Sequence, residues 1–327
     1  MKKIILFSIM TCIVCGLASF VFCSFSSSNP DSNADDTKEE LVFQTGFEGT
    51  TRVIPIEDEN DDIIGFEPGL TKSSWDELKT NGGMNLVFVN YTGGDSTQRT
   101  ARIIPEPGNS KNHVLRFQVF DSWGASERQN KARVQVEFHE ITPGFKEFYQ
   151  SMRVFLHEDF NALKSFPKRI GWLTISEFWN NEWWFPEEKN GFRVTLGVGK
   201  PAGETSDLFF ILNAEDAGMK EVWNGDNFDV KVPIGKWFTM DYYFKEGNDK
   251  TGRFYMTITP EGGQKQVVFD IHNFTHFTKD PAPDGVTGYN PMKLYTSREV
   301  VAFMKNQGKS LQIYWDDLKL WKNKRPE

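Results

Sequence analysis

The 327-residue chain has only three cysteines, Cys12, Cys15 and Cys23, all within its first 23 residues. The remainder carries no thiol, which excludes a disulfide framework, a Cys-ligated metal and a cysteine nucleophile there. Its stability must come from packing. Basic residues are outnumbered, with 37 Lys and Arg against 45 Asp and Glu and a formal net charge of −8. That balance argues against a nucleic-acid partner. Helical periodicity is scarce, and no repeat of fixed period occurs.

What the chain does have begins at its first residues. MKKIILFSIMTCIVCGLASFVFC sets Lys2 and Lys3 before an apolar run. Residues 1–23 read as an export signal. A membrane-spanning helix is the competing reading, but the rest of the chain is polar and rich in loops, and a second span is missing. Cys23 stands where a lipoprotein signal would be cleaved and acylated, ahead of a Ser-, Asn- and Asp-rich segment; Phe20, Val21 and Phe22 depart from the small residues usual before such a site. Outer-membrane attachment is expected only if Cys23 is lipidated. Removing Lys2 and Lys3 moves the formal charge from −8 to −10. Residues 24–40 read as a disordered tether. No Pro- or Ser-rich linker interrupts residues 41–323, so one domain, acting as a monomer, is expected.

Aromatic residues make up 14% of the chain, with 29 Phe and 10 Trp, more than a core of this size needs. Short alternating runs recur between turn residues: LVFQTGFE, NLVFVNY, HVLRFQVF, QSMRVFL, GWLTISEFW, FRVTLGV, DLFFILNA, RFYMTITP, KQVVFDI and others. This spacing predicts an all-β antiparallel sandwich. Two stretches predict short peripheral helices: SSWDELK, with Ser74 three residues before Glu77, and SREVVAFMKNQG, bounded by Ser297 and Gly308. The acidic run EDENDD (57–62) reads as a solvated loop.

KARVQVEFHE, residues 131–140, is the most informative stretch. Side chains alternate across a strand, so Val134, Val136 and Phe138 enter a core while Arg133, Gln135, Glu137 and His139 line the other face. A wet face of an antiparallel sheet explains this without function. The composition points further: one row offers a cation, an amide, a carboxylate and a titratable base. Arg193 with Thr195, and Asp241 with Tyr243 and Lys245, alternate in the same way on other strands. The segment EFWNNEWWFPEE (177–188) adds Trp179, Trp183 and Trp184, rings suited to stacking on sugar faces or to folding back on the core.

The order of segments resembles the concanavalin A-like jelly rolls of the polysaccharide lyase group, the alginate-, glucuronan- and heparin-lyase-like proteins. TGFEG, HVLRFQV leading into ARVQVEF, FYQSMRVFLHEDF, GKWFTMDYYFK and IYWDDLKLW carry the resemblance over residues 41–323. It implies a jelly-roll fold and a polysaccharide partner. The row departs from the Arg-x-Glu-x-Arg pattern such lyases present, since Gln135 takes the middle place and the second Arg is absent; a Gln-Ile-His strand is not evident. β-Elimination on a uronate requires its carboxylate to be neutralised, a base for the α-proton and an acid for the leaving oxygen. If the resemblance extends to the reaction, Arg133 and Gln135 take the first role, His139 is the base and Tyr243 base or acid; Trp179, Trp183, Trp184, Arg193 and Lys245 are candidates for binding sugar by their own chemistry. Two alternatives remain open: hydrolysis by two carboxylates, Glu137 with Glu177, and a non-catalytic cell-surface glycan binder.

Structural Ca²⁺ is an expectation too. Glu48 near the first strand and Asp316 or Asp317 near the last approach one another if the terminal strands pair. Against it, these carboxylates cap turns or pair with Lys319 and Arg325. No organic cofactor is expected. EDENDD fails as a calcium loop because Ile63 stands where Gly is required and Gly69 where Glu is required. His272 and His276 have the step of a zinc pair but a strand-like setting with no accompanying Glu. His113 and His157 read as surface or turn residues.

Overall fold

Period-2 burial runs through the chain as the sequence predicts, most clearly in FYQSMRVFL and FRVTLGV. The computed structural model describes residues 38–57, 60–81, 83–126, 129–181 and 190–327. These all belong to one compact unit. The expected signal, Cys23, most of the tether, Trp183 and Trp184 lie outside the described residues. Among the described residues no helix is long and apolar enough to cross a membrane.

Nineteen strands are formed among the described residues. They run β1 (Glu40–Thr45), β2 (Arg52–Glu57), β3 (Asn60–Ile64), β4 (Met84–Asn90), β5 (Arg99–Glu106), β6 (Asn109–Val119), β7 (Trp123–Ser126) and β8 (Gln129–Ile141). The chain continues through β9 (Glu147–Leu156), β10 (Leu173–Asn180), β11 (Phe192–Gly199), β12 (Phe209–Asp216), β13 (Glu221–Asn227) and β14 (Trp237–Lys245). It ends with β15 (Arg253–Pro260), β16 (Gln266–His272), β17 (Gly288–Asn290), β18 (Lys293–Ser297) and β19 (Leu311–Lys322). Every strand pairing is antiparallel, in an 8-stranded sheet ordered β16-β15-β14-β9-β19-β6-β5 with β1 beside β19, and an 11-stranded sheet ordered β13-β12-β11-β10-β17-β8-β4-β3-β2, with β18 and β7 also paired to β8. The fold is an all-β antiparallel sandwich of jelly-roll type.

Aromatic side chains from both sheets meet between the layers. Phe178 of β10 packs 5.8 Å from Phe148 of β9 and 5.3 Å from Phe254 of β15, and Tyr289 stacks on it at 5.0 Å. Much of the Phe content is thus consumed by the core, where truncating one such ring costs about 3–5 kcal/mol.

Both helices form as the sequence predicts. α1 (Trp75–Asn81) is capped by Ser74, whose hydroxyl accepts from the Glu77 N–H at 3.1 Å. α2 (Arg298–Asn306) has Ser297 as its N-cap and ends before Gly308 at φ 67°, a left-handed conformation that glycine adopts without strain. The acidic run differs from expectation. Instead of a solvated loop it contributes to the β2–β3 hairpin, where Asp61 is buried and accepts from the Tyr91 hydroxyl while Asp62 pairs with Lys79. Charge composition alone hid the isoleucines on either side of it, Ile54 and Ile56 before and Ile63 and Ile64 after.

Candidate functional site

β8 occupies the middle of the 11-stranded sheet and behaves as the decapeptide predicts. Val134, Val136 and Phe138 are wholly buried in the core, so Arg133, Gln135, Glu137 and His139 occupy the opposite face. The strand register extends that face sideways. Gln135 lies opposite Asn90 of β4 and Lys293 of β18, and Arg133 lies opposite Tyr295.

A local irregularity turns a carboxylate onto the same face. β10 carries a β-bulge between Thr174 and Ser176. Strict alternation from Thr174 would aim Glu177 at the core; the extra residue reverses the phase, and bulges commonly re-aim a side chain in this way. Ile175 and Phe178 therefore pack inward, while Thr174 and Glu177 line a cavity of about 550 Å³. Lys131, Trp172, Arg193 and Tyr295 also line it.

The charges in this cavity are arranged in layers. Glu177 is fully buried at its floor, accepting from the Lys293 ammonium and, at 3.2 Å, from Nη1 of Arg193. Burial raises the Glu177 pKa, but Lys293 and Arg193 outweigh it and hold the carboxyl below its usual range. Burial likewise pushes Lys293 down to about 8 despite the pull of Glu177. Arg193 also donates from Nε and Nη2 to Glu215 at 2.9 and 2.6 Å, and lies 5.4 Å from the Trp179 ring centroid.

Above this floor, Tyr295 is surrounded by cations. The ammonium groups of Lys131 and Lys293 each lie 5.1 Å from its ring centroid and the Arg133 guanidinium 5.9 Å. Burial pushes its phenol up to about 12. Trp172 packs beside it at 4.8 Å and is itself partly exposed. Lys131 has no ion pair among the described residues, and burial followed by repulsion from Arg133 and Arg193 lowers its pKa. Arg133 donates to Asn90 Oδ1 at 3.1 Å, while its Nε is buried without a hydrogen bond among the described residues.

The expected residues do not all converge. Gln135 donates to Glu137, and His139 Nε2 stands 3.5 Å from the same carboxylate. His139 is also six residues from Arg133, about 20 Å along a strand; it and Tyr295 cannot act on one sugar linkage. Tyr243 and Lys245 belong to β14 of the other sheet. Tyr242 points into the core against Phe178, so Tyr243 faces away from it on the far side of the sandwich, donating to Glu147 at 2.7 Å. Alternation told the faces apart but carried no information about which sheet held the strand.

The terminal carboxylates have other partners. β1 does pair with β19, yet Glu48 accepts from the backbone N–H of His113 and contacts its ring, while Asp316 accepts from Arg153 at 2.7 Å and Asn112 at 2.9 Å. Arg153 also lies 3.7 Å from Asp317. Burial and the neighbouring Asp317 push Asp316 up to about 7.

Lys131, Trp172, Lys293 and Tyr295 escape the sequence reading. Lys131 lies in the same alternating row as Arg133, two residues before it. Lys293 and Tyr295 alternate around Leu294 in KLYTS, a strand of five residues set immediately before a helix; that phase was the available signal.

No family model matches the chain, and no curated protein matches it. Among solved structures it is similar to an endo-β-1,4-glucuronan lyase from the fungus Trichoderma reesei, at 14% identity over 73% of this chain and 91% of that one, with a TM-score of 0.43. It is also similar to the alginate lyase Aly36B, at 15% identity over 73% and 88%, TM-score 0.42. The marine PL-14 alginate lyase from Aplysia kurodai matches at 10% identity over 86% and 99%, TM-score 0.46.

Proposed function

We propose that the 550 Å³ cavity binds an acidic polysaccharide and cleaves it by β-elimination next to a uronate. One observation carries this reading: in a protein of net charge −8, the Lys131 ammonium faces the cavity without an ion pair among the described residues, beside Tyr295 and repelled by Arg133 and Arg193. Such a site gains when a carboxylate enters it.

Each chemical role has a resident candidate. Arg133, which donates to Asn90 and has no carboxylate partner among the described residues, supplies the charge that neutralises the substrate carboxylate and so acidifies its α-proton. Lys131, whose pKa is lowered by burial and two guanidinium groups, is the base. Tyr295, kept protonated by burial, is the acid for the leaving glycosidic oxygen. Trp172 offers a ring face to the adjoining sugar. Glu177 and Lys293 hold Arg193 and the floor in place.

In the hydrolytic alternative Glu177, held ionised by two cations, is confined to the nucleophile or base role and leaves the acid role to Glu137. A purely binding role has one observation in its favour: Gln135 is committed to Glu137 within the row. The experiment is a screen of uronate and neutral polysaccharides, read for unsaturated ends by ultraviolet absorbance and for binding by calorimetry. Unsaturated product from a uronate polymer, lost in Lys131→Met, is the expected result. Binding without product selects the glycan-binding reading, and binding only to neutral polymers overturns both.

A further inference from the structure

The same sheet face continues from β8 across β4 to β3 and β2, and its character changes. Leu86 lies opposite His139 and Phe88 opposite Glu137, while Ile54 lies opposite Asp62. Paired residues share a face, so Leu86, Phe88 and Ile54 stand on the side that bears the cavity, and Ile56, at the irregularity of β2, lines the same hollow as Leu86 and Phe88. Ile56 is 60% and Leu86 40% exposed. Together with Asn60, Asp62 and Lys79 they surround a second, shallower cavity of about 340 Å³, near the lower limit for small-molecule sites. It flanks the Glu137 to His139 stretch of β8, about 13 to 20 Å along the strand from Arg133.

From this juxtaposition we infer that the second cavity is a subsite for a neutral 6-deoxyhexose in the same glycan chain. The inference rests on the acidic-glycan reading and specifies which acidic glycan is taken. A deoxyhexose presents a methyl group and hydroxyls on one ring. Ile56, Leu86 and Phe88 cover the methyl, while Asp62, Lys79 and Asn60 reach the hydroxyls at the rim. A uronate fits here poorly: Lys79 is already paired with Asp62, and Glu137 lies opposite Phe88 on the adjacent strand. A fully hydroxylated hexose would set its C6 hydroxyl against three apolar side chains, desolvating it without a partner. The cavity that bears Lys131 thus takes the charged sugar, and the apolar one its neutral neighbour further along.

The test compares binding of two polymers, a uronate homopolymer and one alternating uronate with 6-deoxyhexose, to the native protein and to Ile56→Ser/Leu86→Ser. Both positions are exposed, so the fold should tolerate the change; Ile56→Thr serves as a milder second variant. Expected are tighter binding of the alternating polymer by the native protein and a loss of about tenfold or more in the double variant, the scale of apolar-pocket discrimination, with homopolymer affinity unchanged. Equal affinity of the native protein for both polymers, or no loss in the variant, overturns this inference while the acidic-glycan reading stands. A shift in the solution mass of the variant also overturns it, by making the patch a contact between copies of the chain. Binding of neither polymer overturns both readings.

Discussion

Lys293→Met tests the layered charge arrangement most directly. Lys293 and Glu177 are each 2% exposed, so neither group recovers hydration when its partner is removed. Breaking a buried pair on one side costs about 3–5 kcal/mol, because the remaining charge stays desolvated. Arg193 still holds Glu177 at 3.2 Å, which places the expected loss near the lower end, about 3 kcal/mol. Lys293→Met with Glu177→Leu removes both charges and should recover most of that loss, since apolar replacement of a buried pair is often neutral or stabilising. Urea unfolding of the native, single and double variants at neutral pH measures this. The pH dependence gives a second check. The folded Lys293 pKa, about 8, lies below the unfolded value of about 10.4, so the unfolded chain holds more protons between those values and stability rises with pH through that window; Lys293→Met should remove the rise. Glu177, with its folded pKa lowered, contributes stability that is fully present above the unfolded value of about 4.3 and is lost as pH falls through its folded value. A single-variant loss below about 1 kcal/mol, or a double variant no more stable than the single, would refute the arrangement.

Other outcomes are expected from the same geometry. Tyr295→Phe should lower the elimination rate by about 10²–10⁴-fold, the range of general acid catalysis, with little change in melting temperature; an undiminished rate removes Tyr295 from the chemistry. Elimination should quicken as pH rises toward the lowered Lys131 pKa, and Lys131→Met should abolish that rise in the pH–rate profile. Chelators should leave the melting temperature unchanged, since Arg153 contacts both Asp316 and Asp317; a drop reversed by Ca²⁺ would show an ion there. Lys200, wholly buried with its ammonium donating to the carbonyls of Pro201, Gly203 and Glu204, should on replacement by Met strand those acceptors at about 1–3 kcal/mol each, read by urea unfolding.

Most of the fold was written in local periodicity. Val134, Val136 and Phe138 keep a two-residue period that no helix would keep, and the caps at Ser74 and Ser297 are local hydrogen bonds readable from spacing. The site was only half readable, because it is assembled from register. Tyr243 and Tyr295 sit in equally alternating strands, and only pairing assigns the former to the far sheet and the latter beside Arg133. Glu177 depends on a bulge that shifts phase by one residue, and nothing in LTISEFW announces it. The apolar end of the face was masked by EDENDD, whose charge suggested a loop.

β19 lies between β9 and β6 while also holding β1, so the middle of one sheet is supplied by residues 311–322, long after its flanking strands have been made. During synthesis β5 and β6 can pair, as can β9, β14, β15 and β16, but the two groups stay unjoined, with open edges and apolar faces. Assembly therefore waits on a closing insertion spanning nearly the whole chain, the kind of long-range pairing that slows folding and leaves intermediates prone to aggregate. Shortening the chain before Leu311 would leave two partial sheets with nothing to bridge them.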